Sequence, residues 1–362
     1  TTKSPSIKLA EASKPEEVAE ETPSPLSWMF DAWNYQIDSW QRSVLFLDTL
    51  RQRADNMIEH EENDMPPLLD FKYEMVLDGR TFETPANYAL LKITEIEEAC
   101  LKDCFDPEKP PVIIVDPRAG HGPGIGGFKR DSEVGIAMHE GYPVYFVMFY
   151  PDPEPHQTVS DVLQALKKFV EKAKKLHGGK APILYGNCQA GWMLTILAAD
   201  CDGLAGPVIT NGSPLSYWAS SEEGNPMQIM GSLAGGVWIS RFLADLGNGT
   251  FDGAWLVQNF ERLNPANALW EKYYNLYANI DTERDRFLEF ERWWTGFYSL
   301  SEEEITTTVE NLFVGNKLER GELVLDDGCT IDLKKITNPL LIFASHGDNI
   351  TPPRQALHWI RQ

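Results

Sequence analysis

Cys188 is the residue of this 362-residue sequence whose type and setting point most directly to chemistry. It follows a short apolar run, Ile183 to Tyr185, with the composition of a buried strand, and it precedes an apolar helical pattern at 192–199. A cysteine at the apex of a sharp turn between strand and helix can attack an acyl carbonyl as a thiolate. The backbone N–H of the next residue, Gln189, would then stabilise the oxyanion that forms.

The neighbours of Cys188 are small, as a turn of this kind requires. Gly186 and Ala190 stand two positions before and after it, where a large side chain would collide with the adjoining strand or helix. The pattern predicts the nucleophile elbow of an α/β-hydrolase, with cysteine for the usual serine and with Gly191 one place late. The alternative is an inert buried cysteine that packs after an ordinary strand.

A glycine-rich loop at 119–127 follows a predicted buried strand at 110–116. Glycines let backbone N–H groups point into a site without an intervening Cβ, so this loop could complete an oxyanion hole. The residues expected to bind the oxyanion or substrate are Gln189, His121, Gly122, Gly124, Gly126 and Gly127. A phosphate-binding loop is the alternative, because Gly122–Gly127 fits G-x-G-x-x-G by count, although no Walker-type lysine follows.

Asp348 follows a late apolar run at 339–344, which resumes the sheet after a long interruption. In a hydrolase triad the acid comes after a late strand of the sheet, so Asp348 is the candidate catalytic acid. An aspartate that only caps a turn or helix is the alternative.

Strands and helices alternate from 110 to 213, which predicts a parallel sheet with right-handed crossovers. The predicted fold class is α/β, an α/β-hydrolase fold with a mostly parallel sheet flanked by helices, a helical cap insertion and an N-terminal amphipathic helix. The expected domain organisation is a disordered acidic tail at 1–25, an amphipathic helix at 26–60, a first core part at 61–213, a helical cap at 214–338 and a truncated second core part at 339–362.

The predicted helix at 26–60 carries an aromatic stripe that includes Trp28, Trp33 and Trp40. The stripe could pack on the core of its own chain, or it could serve self-association or binding to a hydrophobic granule.

Composition excludes several classes of function. The net charge of −22 disfavours nucleic acids and anionic membranes as general partners. Five cysteines are too few for a disulfide scaffold and favour a reducing compartment, so we expect a cytoplasmic protein without a transmembrane segment or secretion signal. No cofactor or metal is predicted, since Cys100 and Cys104 lack further ligands at zinc-site spacing.

Several segments together resemble the poly(3-hydroxyalkanoate) synthase-like proteins, and most closely their uncharacterised branch, the DUF3141 family. The segments that carry the resemblance are 42–46, 116–129, 186–192, 212–218, 311–318 and 347–352. The synthases use a Cys-His-Asp triad on 3-hydroxyacyl-CoA thioesters. The resemblance therefore implies Cys188 as nucleophile and Asp348 as orienting acid. The chain departs from the synthases at Ala190, in place of a glycine, and at Asn349, in place of a histidine.

The base of the triad is not evident. His358 falls among packing residues, His346 is too close to Asp348 along its loop, and His121 would need an unusual geometry to face Cys188. We expect the base to come from residues beyond 362 and the chain alone to be an inactive fragment. The sequence thus predicts an acyltransferase or hydrolase with a cysteine nucleophile for thioesters or esters. The alternative is a non-catalytic hydrolase-fold scaffold that binds granules or protein partners through its N-terminal helix.

Overall fold

The computed structural model describes residues 27–96, 106–200, 203–219 and 235–361. The predicted tail at 1–25 and the cysteines at 100, 104 and 201 lie outside these residues.

A seven-stranded sheet forms the centre of the described chain, with the strand order β1-β2-β4-β3-β5-β6-β9. Among the described residues, the strands are β1 (Phe71–Asp78), β2 (Tyr88–Ile96), β3 (Val112–Val115), β4 (Val144–Phe149), β5 (Ile183–Asn187), β6 (Val208–Asn211), β7 (Thr250–Phe251), β8 (Leu300–Ser301) and β9 (Leu340–Phe343). The first two strands form an antiparallel hairpin, and β2 pairs antiparallel with β4. All other pairs in this sheet are parallel, and β7 and β8 pair separately.

The central strands are apolar along their whole length because helices cover both faces of the sheet. Every residue of β3 and β4 is buried, which is typical of parallel strands between two helical layers. The first four helices are α1 (Ser27–Glu62), α2 (Glu133–His139), α3 (Val159–Leu176) and α4 (Gln189–Asp200). The larger core cluster joins the sheet to α3 and α4, and a second cluster joins the opposite face to α2.

The segment between β6 and β9 is mainly helical in the part that the structure describes. Its helices are α5 (Trp238–Leu246), α6 (Ala254–Leu263), α7 (Lys272–Ala278), α8 (Ile280–Trp294) and α9 (Glu302–Thr308), with π-helical turns at Asn267–Glu271 and Val309–Val314. We call residues 235–338 the helical insertion. A capping box between Ser301 and Glu304 starts α9. A last short helix, α10 (Pro353–Leu357), follows β9.

The predicted N-terminal helix is confirmed as α1, and its C-terminal half docks on the helical insertion. Glu291 of α8 is fully buried between two cations, with Arg53 of α1 at 2.7 Å and Lys272 of α7 at 2.9 Å. Phe46 and Leu50 of α1 pack on the apolar cluster of α7 and α8. One face of α1 is therefore fixed to the insertion.

The mostly parallel sheet, its two helical layers and the turn between β5 and α4 confirm the predicted α/β-hydrolase fold. Among the described residues, we find no helix with the length and apolar character needed to cross a membrane.

Candidate active site

The turn between β5 and α4 has the strained backbone of a nucleophile elbow. Cys188 lies there with φ of +46°, a conformation that is rare for a residue with a side chain. Its N–H donates to the Asn211 carbonyl at 2.9 Å, and its carbonyl accepts from the Gly191 N–H at 3.0 Å. These two bonds tie the turn to the end of β6 and to the first turn of α4, so the thiol projects from the carboxyl edge of the sheet.

Two glycines make room for this turn. A Cβ on Gly186 would lie 2.9 Å from both the Ala190 carbonyl carbon and Leu194 Cδ1. On Gly191 it would lie 1.8 Å from Ser213 Oγ. Ala190 itself is buried without such a conflict. The close packing therefore falls at 191, which explains why alanine is tolerated at 190.

Gln189 is held next to the thiol. Its backbone N–H bonds to the Cys188 sulfur and favours the thiolate. Its side-chain oxygen accepts the Trp192 indole N–H, and the same side chain bonds to the Tyr217 hydroxyl. As the first residue of α4, Gln189 presents an N–H group that needs no partner inside the helix. This N–H has the position that an oxyanion donor needs.

Asp348 lies in the loop after β9, close enough to Cys188 for its charge to act on the thiol. Its Oδ1 accepts from the N–H groups of Ile350 at 2.9 Å and Thr351 at 2.8 Å. Its Oδ2 would lie 3.3 Å from a Cβ on Gly212, directly after β6. The carboxylate is thus fixed by its own turn at the edge of the sheet where Cys188 lies. These hydrogen bonds support the turn-capping interpretation, while the role of Asp348 as catalytic acid stays a prediction.

The thiol of Cys188 is protonated at neutral pH in this structure. Burial raises its pKa to about 11, the Gln189 N–H opposes this rise, and the negative charge of Asp348 adds to it. A reaction at neutral pH therefore needs a base to remove the proton.

The predicted role of the glycine-rich loop needs correction, because its N–H groups are already used. The N–H of Gly122 donates to the Gly296 carbonyl, and that of Gly127 donates to the Gly124 carbonyl. The N–H groups of Gly124 and Gly126 donate to the Asp116 carboxylate. These donors point inward, so the four glycines shape the loop and do not serve an oxyanion.

Asp116 at the end of β3 is the anchor of this loop. Its carboxylate is buried, which raises its pKa to about 7, while the backbone donors of the loop lower it and the charge of Glu133 adds to the rise. A Cβ on Gly126 would lie 2.8 Å from Asp116 Oδ1. Glycine is thus needed there to let the backbone approach the carboxylate, and no phosphate is required to explain the pattern.

His121 is bound into the helical insertion. Its ring centroid lies 4.5 Å from those of Trp293 and Trp294, and Phe260 stacks on it at 6.5 Å. Its Nδ1 lies 3.1 Å from the Trp294 carbonyl oxygen, which implies a protonated Nδ1 that donates. Burial lowers its pKa to about 4, so the ring is neutral at pH 7. These contacts give His121 a packing role, and the prediction that it binds substrate gains no support.

None of the hydrogen bonds that the structure gives for the histidines of the described residues reaches Cys188. The recorded partners are Trp294 for His121, Glu303 for His156, Tyr145 for His177 and Glu319 for His358. His346 is exposed in the Asp348 loop.

Two features of the site are not evident from sequence reasoning. Tyr217 is buried beside the elbow, where burial and the nearby Cys188 raise the pKa of its hydroxyl. In the sequence, the segment 212–218 that contains Tyr217 is notable only through the family resemblance. Arg118 and Glu304 form a buried ion pair at 3.3 Å between the core and α9. A buried charge pair has no local sequence signal, because its two members are far apart along the chain.

A cavity of about 40 Å³ adjoins the elbow. Gln189, Ala190 and Trp192 line one side, and Arg118 and Glu304 line another. Its volume suits a few water molecules. Among the residues that the structure describes, no group of three or more His, Cys, Asp or Glu side chains is placed to hold a metal ion.

The fold and the turn between β5 and α4 define the chain as an α/β-hydrolase-type protein that has Cys188 at that turn. The family model described as "Protein of unknown function (DUF3141)" matches residues 38–362, and the chain belongs to that family.

Two curated relatives are similar to the chain over part of their own length. An uncharacterised protein in the ackA 5′ region of Rhizobium meliloti is 51% identical over 333 residues, which are 91% of this chain and 45% of that protein. The poly(3-hydroxyalkanoate) polymerase subunit PhaC of Haloferax mediterranei is 24% identical over 237 residues, which are 61% of this chain and 45% of that protein. The chain spans less than half the length of these two relatives.

The chain also resembles solved structures at low sequence identity. The chain superposes on 2-hydroxy-6-oxo-6-phenylhexa-2,4-dienoate hydrolase of Rhodococcus sp. strain RHA1 with a TM-score of 0.39 and 13% identity, over 80% of this chain and 88% of the other. For a lipase of Acinetobacter baumannii the TM-score is 0.42 and the identity 12%, over 87% of this chain and 84% of the other.

Proposed function

We propose that this chain carries the nucleophile and the acid of an acyl-transfer or acyl-hydrolysing site, with Cys188 as the nucleophile. The observation that carries the proposal is the geometry at the elbow. The strained Cys188 projects its sulfur beside the Gln189 N–H, within range of the Asp348 charge. An attacking atom, an oxyanion donor and an orienting carboxylate at one sheet edge are the parts that covalent acyl transfer needs.

In the proposed reaction a base takes the proton of the Cys188 thiol as the sulfur attacks the acyl carbon. The carbonyl oxygen becomes an oxyanion, and the Gln189 N–H donates to it. When the tetrahedral intermediate collapses, the bond to the leaving thiolate or alkoxide breaks, that group takes up the proton, and an acyl-cysteine remains. An acceptor hydroxyl or water then attacks the acyl-cysteine and releases the Cys188 thiol.

We propose a histidine as the base, held by Asp348. Both backbone N–H groups that bind this carboxylate go to Oδ1 in the described loop, so Oδ2 is the oxygen that would orient an imidazole. The proposed substrates are acyl thioesters or esters, with 3-hydroxyacyl-CoA as the first compound to test. The support for this substrate is the likeness to the PhaC polymerase subunit.

The experiment is intact mass spectrometry after incubation with 3-hydroxybutyryl-CoA. The proposal predicts one acyl adduct on a form of the protein that also contains the histidine base, and none on the same form with Cys188→Ala. Cys329→Ala is the matched control, because Cys329 is a second partly exposed free thiol and lies beside Asp200. An adduct that persists in Cys188→Ala, or no adduct with any thioester or ester of a panel, would contradict the proposal.

A second candidate function is a non-catalytic scaffold that binds hydroxyalkanoate granules or protein partners through α1. The exposed aromatic side chains at the start of α1 favour it, since Trp28, Trp33 and Trp40 are each about two-thirds exposed. Sedimentation with isolated granules tests it, with Trp33→Glu and Trp40→Glu as variants. Binding that survives in both variants would count against a role of this surface.

A further inference from the structure

Helix α1 presents two different faces. On one face, Ser39 Oγ lies 2.9 Å from the Tyr277 hydroxyl, and Arg42 donates to the Ala278 carbonyl at 3.0 Å. The Phe46 ring packs edge-on against that of Tyr277. This face is occupied by α7 and the start of α8.

Another face of the same helix is apolar and has no partner within the described chain. Its six residues and their exposed fractions are Phe30 (67%), Trp33 (67%), Ile37 (42%), Trp40 (71%), Val44 (61%) and Leu47 (64%). We call them the α1 seam. They are spaced alternately three and four residues apart, so they form three consecutive heptads with both apolar positions filled.

The spacing of these six residues indicates which kind of surface can bind the α1 seam. A repeat of 3.5 residues keeps a narrow stripe in contact with one neighbouring helix over its whole length. The residues beside the stripe are mostly polar, with Asn34, Gln41 and Asp48 on one side and Gln36 and Ser43, between the apolar Met29 and Leu50, on the other. A helix that binds a flat apolar surface, such as a membrane, has a broader apolar face than this stripe. The occupant that matches is therefore another α-helix with the same repeat.

The side chains favour a second copy of this chain. With Phe30 as the first position of a heptad, the β-branched Ile37 and Val44 take the first positions of the next two heptads, and Trp33, Trp40 and Leu47 take the fourth positions. A β-branched residue at the first position with leucine at the fourth, as in the third heptad, favours two parallel strands. Asp48 is the one charged residue among the positions that border the α1 seam, and Arg51 of the same helix binds it at 2.8 Å, so two seams can meet without strong local repulsion despite the net charge of −22. The face of α1 that docks on α7 and α8 lies on a different side of the helix, so the rest of the protein leaves the α1 seam exposed.

We propose that two copies of this chain associate through the α1 seams as a parallel two-stranded coiled coil. The interface is isologous, so each seam residue meets its own counterpart across a twofold axis. This inference does not depend on the proposed acyl transfer.

Sedimentation-equilibrium measurements on the purified chain test the association. The proposal predicts a dimer that dissociates on dilution. Trp40→Glu should raise the dissociation constant by about 100-fold or more, because each copy loses a buried indole and gains a charge in the seam. Tyr35→Glu is the matched control, since Tyr35 is an aromatic residue of α1 with 68% exposure outside the seam. A monomeric unmodified chain, or equal effects of the two substitutions, would overturn the proposal.

Cysteine cross-linking tests the orientation. Val44→Cys should form a disulfide-linked dimer on mild oxidation, since counterpart side chains face each other in a parallel pair. Leu45→Cys is exposed but lies outside the seam and should not cross-link. The unmodified chain measures the background from native cysteines. A dimer without a Val44→Cys cross-link would overturn the parallel arrangement. A monomeric chain that binds neutral lipid vesicles through Trp40 would replace the self-association with surface binding.

Discussion

Gly191 and Ser213 lie so close that a single methyl group does not fit between them. A Cβ on Gly191 would lie 1.8 Å from Ser213 Oγ and 2.4 Å from Ser213 Cβ. Gly191 is in the first turn of α4, and Ser213 follows β6. This contact packs the turn that contains Cys188 against the end of the neighbouring strand β6.

Gly191→Ala should therefore destabilise the chain, by about 1 to 3 kcal/mol from overpacking. Urea unfolding followed by circular dichroism measures the change. The double variant Gly191→Ala/Ser213→Gly restores space for the methyl group and should recover part of the loss. Ser213→Gly alone serves as the control. If the double variant is less stable than the sum of both single changes predicts, the steric explanation is wrong.

The protonated state of Cys188 predicts a steep pH dependence of its alkylation. A pKa raised from 9.0 to about 11 leaves about 100-fold less thiolate at pH 7 than an unperturbed thiol has. The rate of iodoacetamide modification, measured by peptide mass spectrometry, should rise about tenfold per pH unit up to about pH 11. A rate that levels off near pH 7 would show that the thiolate is stabilised, contrary to this expectation.

Asp348→Asn should accelerate alkylation of Cys188 at pH 9, by about two- to fivefold, because it removes a negative charge that opposes the thiolate. Asparagine keeps the oxygen that accepts from Ile350 and Thr351, so the loop is expected to persist. Asp245→Asn, at an exposed position of α5, is the control.

The same substitution should act in the opposite direction on acyl transfer. If Asp348 orients the base, Asp348→Asn should slow formation of the acyl adduct by at least about tenfold. If Asp348→Asn speeds alkylation but leaves acylation unchanged, Asp348 lies near the thiol but has no part in the proposed mechanism.

The Arg118–Glu304 pair predicts a pH-dependent stability difference. Arg118→Met leaves Glu304 buried without its partner and should cost about 3 to 5 kcal/mol at pH 7. Burial already raises the pKa of Glu304, and Arg118 opposes that rise. In the variant the folded-state pKa is higher still, so the folded state is favoured by protonation, and the deficit should shrink as the pH falls toward 4.

Thermal or urea unfolding at pH 4.5 and 7 measures that deficit. Arg118→Met/Glu304→Gln removes both charges and should lose most of the pH dependence. Arg320→Ala breaks an exposed pair with Glu322 and should cost less than about 1 kcal/mol at either pH. A deficit of Arg118→Met that is the same at both pH values would show that packing, not charge, causes it.

Local patterns in the sequence predict a large part of this structure. The apolar runs of β3 and β4, the helical period of α1 and the small residues around Cys188 are properties of neighbouring residues, and they suffice to predict the α/β-hydrolase fold and its elbow. Helical and strand periods depend only on residues a few positions apart, which is why these elements can be read without the tertiary structure.

The role of the glycine-rich loop is a feature that local sequence patterns do not predict. Five glycines near 120 are compatible with donors that face a substrate, but four of their N–H groups, at 122, 124, 126 and 127, donate to the Asp116 carboxylate and to the carbonyls of Gly124 and Gly296. His121 likewise lies among aromatic residues of α6 and α8, far along the chain. The sequence by itself determined the elbow, the order of strands and helices and the heptad spacing of α1. The tertiary structure decided which donors are free and which charges are buried, because those depend on partners that only folding brings together.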